Sequence, residues 1–251
     1  MIAAESIIDP FIKKLTKELP LKTKVVQHKN ELHLSYNEHH CDISFYTTIP
    51  NCSFKGLTIA VDLLHTKTDK LISIIQAKLH YNRTVYARQC IARRITKNIS
   101  NSFLDQYHLM SSTNSAFNYG LFDSGELVAV ASFSKGRKMD RLKENQRSYE
   151  MIRFCSKEGI SVSGGLSKLL NAFIKEVEPG DIMTYIDKQF GEGRSYYACG
   201  FKKHSETQSQ QFLINKRTFE RTYFRDTSFD DNAFYLTENC GNIKLIYTLE
   251  D

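Results

Sequence analysis

Residues 150–201 read EMIRFCSKEGISVSGGLSKLLNAFIKEVEPGDIMTYIDKQFGEGRSYYACGF. The opening piece, with SYEMIRFCS at 148–156, is rich in β-branched, aromatic and aliphatic residues and predicts a strand. After Ser163-Gly164-Gly165, residues Leu166, Leu169, Leu170 and Phe173 recur three and four apart, which predicts an amphipathic helix. Pro179-Gly180 ends it, and DIMTYID at 181–187 predicts a second strand. A strand, a helix and a strand in that order favour a crossover connection, and so an α/β layer. A polar turn, FGEGRS, and a short helix around YYACGF follow.

Upstream, VYARQCIARRI (85–95) predicts a strand, and NISNSFLDQYHL (98–109) a helix with a Ser or Asn cap. YGLFDSGELVAVASFS (119–134) is a hairpin turning at Asp123-Ser124-Gly125, where glycine supplies a positive φ. Residues 135–147 form a basic loop. Downstream, QQFLIN (210–215) is expected as the last strand of this domain, and 216–251 as a tail closing with NIKLIYTL. The first eighteen residues carry Ile7, Ile8, Phe11, Ile12 and Leu15 on one side of a helix. KTKVVQH, ELHLSY and CDISFYTTI predict strands, and GLTIAVDLL a buried one. TKTDKLISIIQAKL predicts a helix capped by Thr66 or Thr68. The expected division is a small α/β domain at 1–84 and a larger α/β (α+β) domain at 85–251, a mixed sheet flanked by helices.

With 251 residues, 41% hydrophobic and 25% charged, the chain suits globular folding rather than disorder. No 18-residue apolar run predicts a membrane span, and the N-terminus lacks a signal-peptide pattern, so no membrane partner and a cytoplasmic location are expected. The six cysteines, at 41, 52, 90, 155, 199 and 240, show no C-x-x-C spacing and are expected as free, mostly buried thiols. His39, His40 and Cys41 are too close in sequence to converge easily on one metal, and no metal is expected.

The net charge of +6 is unevenly spread. Arg88, Arg93 and Arg94 lie in one basic stretch, Arg137 and Lys138 in a second, and Arg217 and Arg221 in a third interleaved with Tyr223 and Phe224. These, with Arg153, are candidate phosphate contacts for DNA or RNA. The alternative is three solvated faces.

The glycine pair carries a second expectation. Backbone N–H groups at a helix start are unpaired and the dipole there favours anions; glycines let a phosphate approach. Ser163, Gly164, Gly165, Ser167 and Lys168 are therefore candidate ligands for a pyrophosphate. The alternative is a tight turn. The GxxxxGK[ST] phosphate loop is absent.

Several ordered pieces resemble phage and mobile-element homing-endonuclease-like proteins. Glu150, Arg153, Phe154 and Cys155 match their Glu-Leu-x-Arg-Phe-Cys strand. Gly164, Gly165, Ser167, Lys168 and Leu169 match their Gly-Gly-Ala-Ser-Lys-Leu helix start. Tyr185, Asp187, Gly193, Tyr196, Gly200 and Phe201 continue the match, VYARQC is similar to Ile-Tyr-Ala-Arg-Lys-Cys, and ENCGNIKL to Trp-Asp-Cys-Gly-Asn-x-Lys-Phe. The likeness runs from about Leu71 to Tyr247. Where the family has Asp-Arg-Arg-Trp, this chain has Asp187-Lys188-Gln189-Phe190. The family's N-terminal nuclease domain, of the PD-(D/E)xK type, has no clear counterpart. Glu31, Glu38, Asp42 and Asp62 lack a following carboxylate-x-Lys, so that half looks shortened and inactive.

The resemblance implies a GNAT-like (acyltransferase-type) C-terminal domain, also similar to the Mom-like DNA-modifying proteins of phages. It implies acetyl-CoA or a similar acyl-CoA as donor, held at the helix start. Glu150 or Asp187 would accept a proton from the amine, and Tyr196 would donate one to the leaving thiolate. The expected function is N-acylation of nucleobases in DNA inside a bacterial host. The competing readings are a DNA-binding module whose nuclease site is lost or supplied by a partner, a diverged active nuclease, and a protein whose glycines and charges are only structural.

Overall fold

The computed structural model describes residues 4–225 and 228–249. The chain divides into two compact units. The first comprises residues 1–81, 187–192 and 206–242, and the second residues 82–186, 193–205 and 243–251.

Along the chain, the first unit begins with helix α1 (Glu5–Glu18), whose Ile8, Phe11 and Leu15 are buried. Phe11 meets Phe45 edge-on at 6.0 Å. Strands β1 (Lys24–His28), β2 (Glu31–Tyr36), β3 (His39–Tyr46) and β4 (Leu57–Ala60) form a sheet in that order. The first two pairings are antiparallel and β3–β4 is parallel. Helices α2 (Val61–Thr66) and α3 (Thr68–Lys78) follow. The run GLTIAVDLL is thus half strand and half helix. Thr66 and Thr68 are not caps: their hydroxyls donate back to the Asp62 and Leu64 carbonyls.

The second unit opens with β5 (Arg83–Tyr86), a 3₁₀ turn at Ala87–Gln89 and β6 (Ile91–Arg94). The single strand expected over 85–95 is therefore broken. The break is held by Lys168, whose ammonium donates to the carbonyls of Ala87 and Cys90. Helix α4 (Lys97–Tyr107) is capped by Thr96, whose hydroxyl accepts from the Ile99 N–H at 3.4 Å. Next come β7 (Phe117–Asp123), β8 (Glu126–Phe133), β9 (Ser148–Ser156), β10 (Ile160–Ser163), α5 (Gly165–Val177), β11 (Asp181–Asp187), α6 (Arg194–Ala198) and β12 (Lys202–Glu206). Positive φ at Ser124 and Gly125 closes the β7–β8 hairpin as expected.

The tail divides. Strands β13 (Gln211–Asn215), β14 (Arg221–Tyr223) and β15 (Phe234–Glu238) form an antiparallel sheet in the first unit. Strand β16 (Asn242–Thr248) joins the large sheet, whose order is β12-β16-β11-β9-β8-β7-β6. QQFLIN therefore does not close the domain expected at 85–251. A disulfide links Cys52 to Cys240, and Glu238 N–H and Thr237 Oγ1 both donate to the Thr48 carbonyl. These contacts tie the tail to the N-terminal strands. The expectation of six free thiols is overturned at Cys52 and Cys240. Such bonds are uncommon in reducing compartments.

In the seven-stranded sheet the β9–β11 pairing is parallel, while β6–β7, β7–β8 and β8–β9 are antiparallel. The sheet is mixed, and helices cover it. On one face α5 packs through Leu166, Leu169, Leu170 and Phe173 against Ala129, Ala131 and Phe133. Phe133 and Phe173 stack at 3.9 Å. On the other face Phe103 and Leu104 of α4 pack on Val130. No described helix is long and apolar enough to cross a membrane.

Candidate functional site

The second unit contains a gap built by strand geometry. Strands β9 and β11 pair only over Asp181–Ser148, Ile182–Tyr149 and Met183–Glu150. Both continue, β9 to Ser156 and β11 to Asp187, without further register between them. At the point of parting, the buried Thr184 hydroxyl donates to the Met151 carbonyl at 3.0 Å and replaces the next ladder bond. Beyond it, the inner edges of two strands face one another as a wedge. The irregularity beside it is in β9: Ser132 pairs with Arg153 and Phe133 with Met151, which leaves Ile152 as an extra residue. This bulge turns Arg153 toward the α4 side, where its Nε donates to the Ser111 carbonyl at 3.2 Å.

The elements that follow the parted strands meet again. After β9, β10 leads to Gly164, whose φ of +76° is a left-handed conformation natural to glycine. Gly165 starts α5, and a Cβ there would lie 2.9 Å from Val162 Cγ1. Both glycines are thus required by the turn itself. No side chain caps this helix, and the N–H groups of its first turn have no acceptors within it. After β11 comes α6, and the Cys199 thiol beyond it is hydrogen-bonded to Ser167. Burial raises the Cys199 thiol, and the Ser167 bond partly offsets this. Tyr196 of α6 packs edge-on against Phe201 at 5.6 Å. Burial first, then the neighbouring Cys199, holds its phenol well above the ordinary tyrosine range.

Among the expected site residues, Glu150, Ser163, Gly164, Gly165, Ser167, Lys168 and Tyr196 all belong to this unit. Strand alternation places Glu150 on the face opposite Tyr149, whose ring meets Phe173 of α5 at 5.3 Å. The Glu150 N–H donates to Ser134 Oγ at 2.9 Å. Ser163 is exposed at the end of β10. Lys168, expected at the phosphate, has its ammonium occupied by Ala87 and Cys90. Asp187 groups with the first unit, where its Oδ1 accepts from the Gln189 N–H at 2.9 Å. Burial raises its pKa, against smaller lowering effects of that N–H and of Arg221.

The basic residues differ in what they touch. Arg93 and Arg94 are neighbours in a strand and so face opposite ways. Arg93 lies over the Phe122 ring at 3.9 Å, while Arg94 pairs with Glu176 and lies over Phe117 at 5.0 Å. Arg88 sits over Tyr86 at 5.1 Å. Arg153 is engaged by backbone carbonyls. Arg221 is corrected outright as a phosphate contact. Its Nε and Nη2 grip both oxygens of fully buried Asp62 at 2.8 Å, and its guanidinium lies over Phe212 at 4.7 Å. Arg137, Lys138 and Arg217 are exposed.

In the first unit, sequence reasoning passed over Gln189. Buried, it donates from Nε2 to the Tyr46 hydroxyl at 2.7 Å and to the Thr58 carbonyl at 2.9 Å. Its neighbourhood holds the Asp62–Arg221 pair. No group of three or more His, Cys, Asp or Glu side chains suited to a metal occurs among the described residues.

No family model matches the chain, and no curated protein matches it. Solved structures similar to it are acetyltransferases. A Bacillus subtilis acetyltransferase in complex with CoA is 14% identical, covering 64% of this chain and 99% of its own, with a TM-score of 0.39. A GNAT family acetyltransferase from Elizabethkingia anophelis with acetyl-CoA bound gives the same four values. The Escherichia coli ribosomal-protein-S18-alanine N-acetyltransferase is 10% identical, covering 64% and 95%, with a TM-score of 0.41. Likeness at this level does not fix an activity.

Proposed function

We propose that the second unit is a GNAT-like acyl-CoA-dependent N-acyltransferase, acting on an amine of a nucleobase. The observation that carries the reading is the wedge between β9 and β11, with the uncapped start of α5 following one strand and α6 following the other. Strand edges in a wedge offer hydrogen bonds to an amide-bearing arm such as pantetheine. The uncapped N–H groups of α5 suit a pyrophosphate.

In the reaction, the amine nitrogen attacks the thioester carbonyl carbon. The C–S bond breaks and the thiolate leaves with the electron pair. Glu150 accepts the proton lost by nitrogen, and the Tyr196 phenol, kept neutral by its raised pKa, donates one to sulfur. The wedge joins the two sheet faces on which these groups lie. Asp187 is the last residue of β11 and groups with the first unit, and Glu150 is taken as the base. Exposed Arg137 and Lys138, with Arg88 and Arg93 held over aromatic rings, supply phosphate contacts for the acceptor.

The test is mass spectrometry of nucleosides after incubating oligonucleotides with the protein and acetyl-CoA. A mass gain of one acetyl group, lost in Glu150→Gln and slowed in Tyr196→Phe, supports the reading. Acetyl-CoA hydrolysis with unmodified nucleosides would remove the nucleobase as acceptor.

A further inference from the structure

The connection between β3 and β4 (47–56) and the one between β15 and β16 (239–241) both belong to the first unit, and the Cys52–Cys240 disulfide joins them. We infer that this bond is a reversible two-electron redox site whose co-reactant is a dithiol.

Three observations carry the inference. First, the two cysteines differ in access. Cys52 is exposed, while Cys240 is 7% exposed. An incoming thiolate therefore meets Cys52 and expels Cys240. Second, each connection is held by hydrogen bonds that do not pass through sulfur. Asn51 accepts from the Ser53 N–H at its Oδ1, 3.2 Å away, and from the Phe54 N–H at its carbonyl, 3.1 Å away. Asn239 Oδ1 accepts from the N–H groups of Gln210 and Gly241 at 2.8 and 3.0 Å, and Asn242 exchanges two bonds with Thr207. Breaking the disulfide leaves both local structures standing, so it can re-form. Third, the first unit's only other cysteine, Cys41, is buried. No thiol of this unit stands ready to exchange, and the electrons come from outside.

The exchange runs in two steps. A thiolate of the dithiol attacks Cys52 Sγ, the bond to Cys240 breaks, and Cys240 Sγ leaves with the electron pair and takes up a proton. Cys240 stays in place on its neighbours' hydrogen bonds, so a mixed disulfide with a monothiol closes back. The second thiol of a dithiol instead attacks its own sulfur in the mixed disulfide, and Cys52 departs as a thiolate and is protonated. The chain gains two thiols and the dithiol becomes a disulfide. The Thr48 carbonyl keeps its bonds to Glu238 and Thr237, and the clamp on the residues beyond it is gone.

The experiment treats the folded full chain with dithiothreitol, alkylates the thiols with iodoacetamide and maps them by mass spectrometry. Alkylation of both Cys52 and Cys240, with a cooperative melting transition retained, is expected. Lys55, exposed in the same connection as Cys52, then reports the release. Trypsin cuts after it about tenfold or more faster in the reduced chain, since cleavage follows the opened population. Oxidised glutathione, added in place of iodoacetamide once the dithiothreitol is removed, restores the slow rate. Cys52→Ser, its fold checked by melting, cuts at the fast rate with or without dithiothreitol. The wild-type comparison stands whether or not that variant folds. A bond that yields to dithiothreitol only once the chain is unfolded overturns the site. So does a rate after Lys55 that is indifferent to reduction, or one that oxidised glutathione does not restore.

Discussion

Thr184 Oγ1 donates to the Met151 carbonyl at 3.0 Å, where β9 and β11 stop pairing. One buried hydroxyl thus closes the narrow end of the wedge. Thr184→Val keeps the shape and removes the donor, which strands a buried carbonyl. The expected loss of stability is about 1–3 kcal/mol, read by urea unfolding, with Thr184→Ser closer to the wild type. Equal stability of the Val variant and the wild type would mean the carbonyl finds another partner.

Asp62 is fully buried and its partner Arg221 is 16% exposed. Truncating one member leaves the other uncompensated. Arg221→Ala is expected to cost ~3–5 kcal/mol. Changing both, to Leu and Met, should recover much of that loss. Additive losses in the double variant would argue against direct coupling.

The Cys52–Cys240 bond spans 188 positions of sequence. Chain-entropy estimates for so long a loop reach about 5 kcal/mol, less any strain. Reduction should therefore lower the melting temperature. Unfolding without reductant should expose four thiols, those of Cys41, Cys90, Cys155 and Cys199, and reduction six. In the folded chain Cys41, pushed up to about 12 by burial, should resist thiol reagents at pH 8. Six titratable thiols in the untreated, unfolded protein would refute the disulfide.

Burial raises the Asp187 pKa, so folding favours its protonated form. The stability this carboxyl contributes is complete below its unfolded value, near 3.9, and is lost as pH rises through the folded value. Asp187→Asn should remove that component. The wild type should gain on the variant as pH falls across this window. A difference independent of pH would show that Asp187 titrates normally.

Much of the second unit was legible because its signals are local. The Ser124-Gly125 turn, the spacing of Leu166, Leu169, Leu170 and Phe173, and the Gly164-Gly165 helix start each declare themselves within a few residues. The destination of the tail was not legible. Cys240 pairs with a cysteine 188 positions away, and Arg221 with Asp62, through tertiary contacts that leave no periodic mark. Adjacency is a poor guide at Arg93 and Arg94 for a related reason. Arg93 and Arg94 are adjacent in sequence, yet a strand sends them to opposite faces. Thr66 and Thr68 misled because a threonine hydroxyl can bond back to a carbonyl as readily as cap a helix.

The start of α5 is the proposed seat of an acyl-CoA. Gly165 is a poor place to test it, because any side chain there meets Val162. Ser163 is exposed and one residue before the helix N-cap. The measurement is calorimetric titration of acetyl-CoA into the wild type and Ser163→Glu, with melting curves to confirm that both are folded. Saturable binding to the wild type, weakened about tenfold or more when the new carboxylate faces the pyrophosphate, is the expected result. No saturable binding to the wild type, or equal binding to both, would remove acyl-CoA from the start of α5.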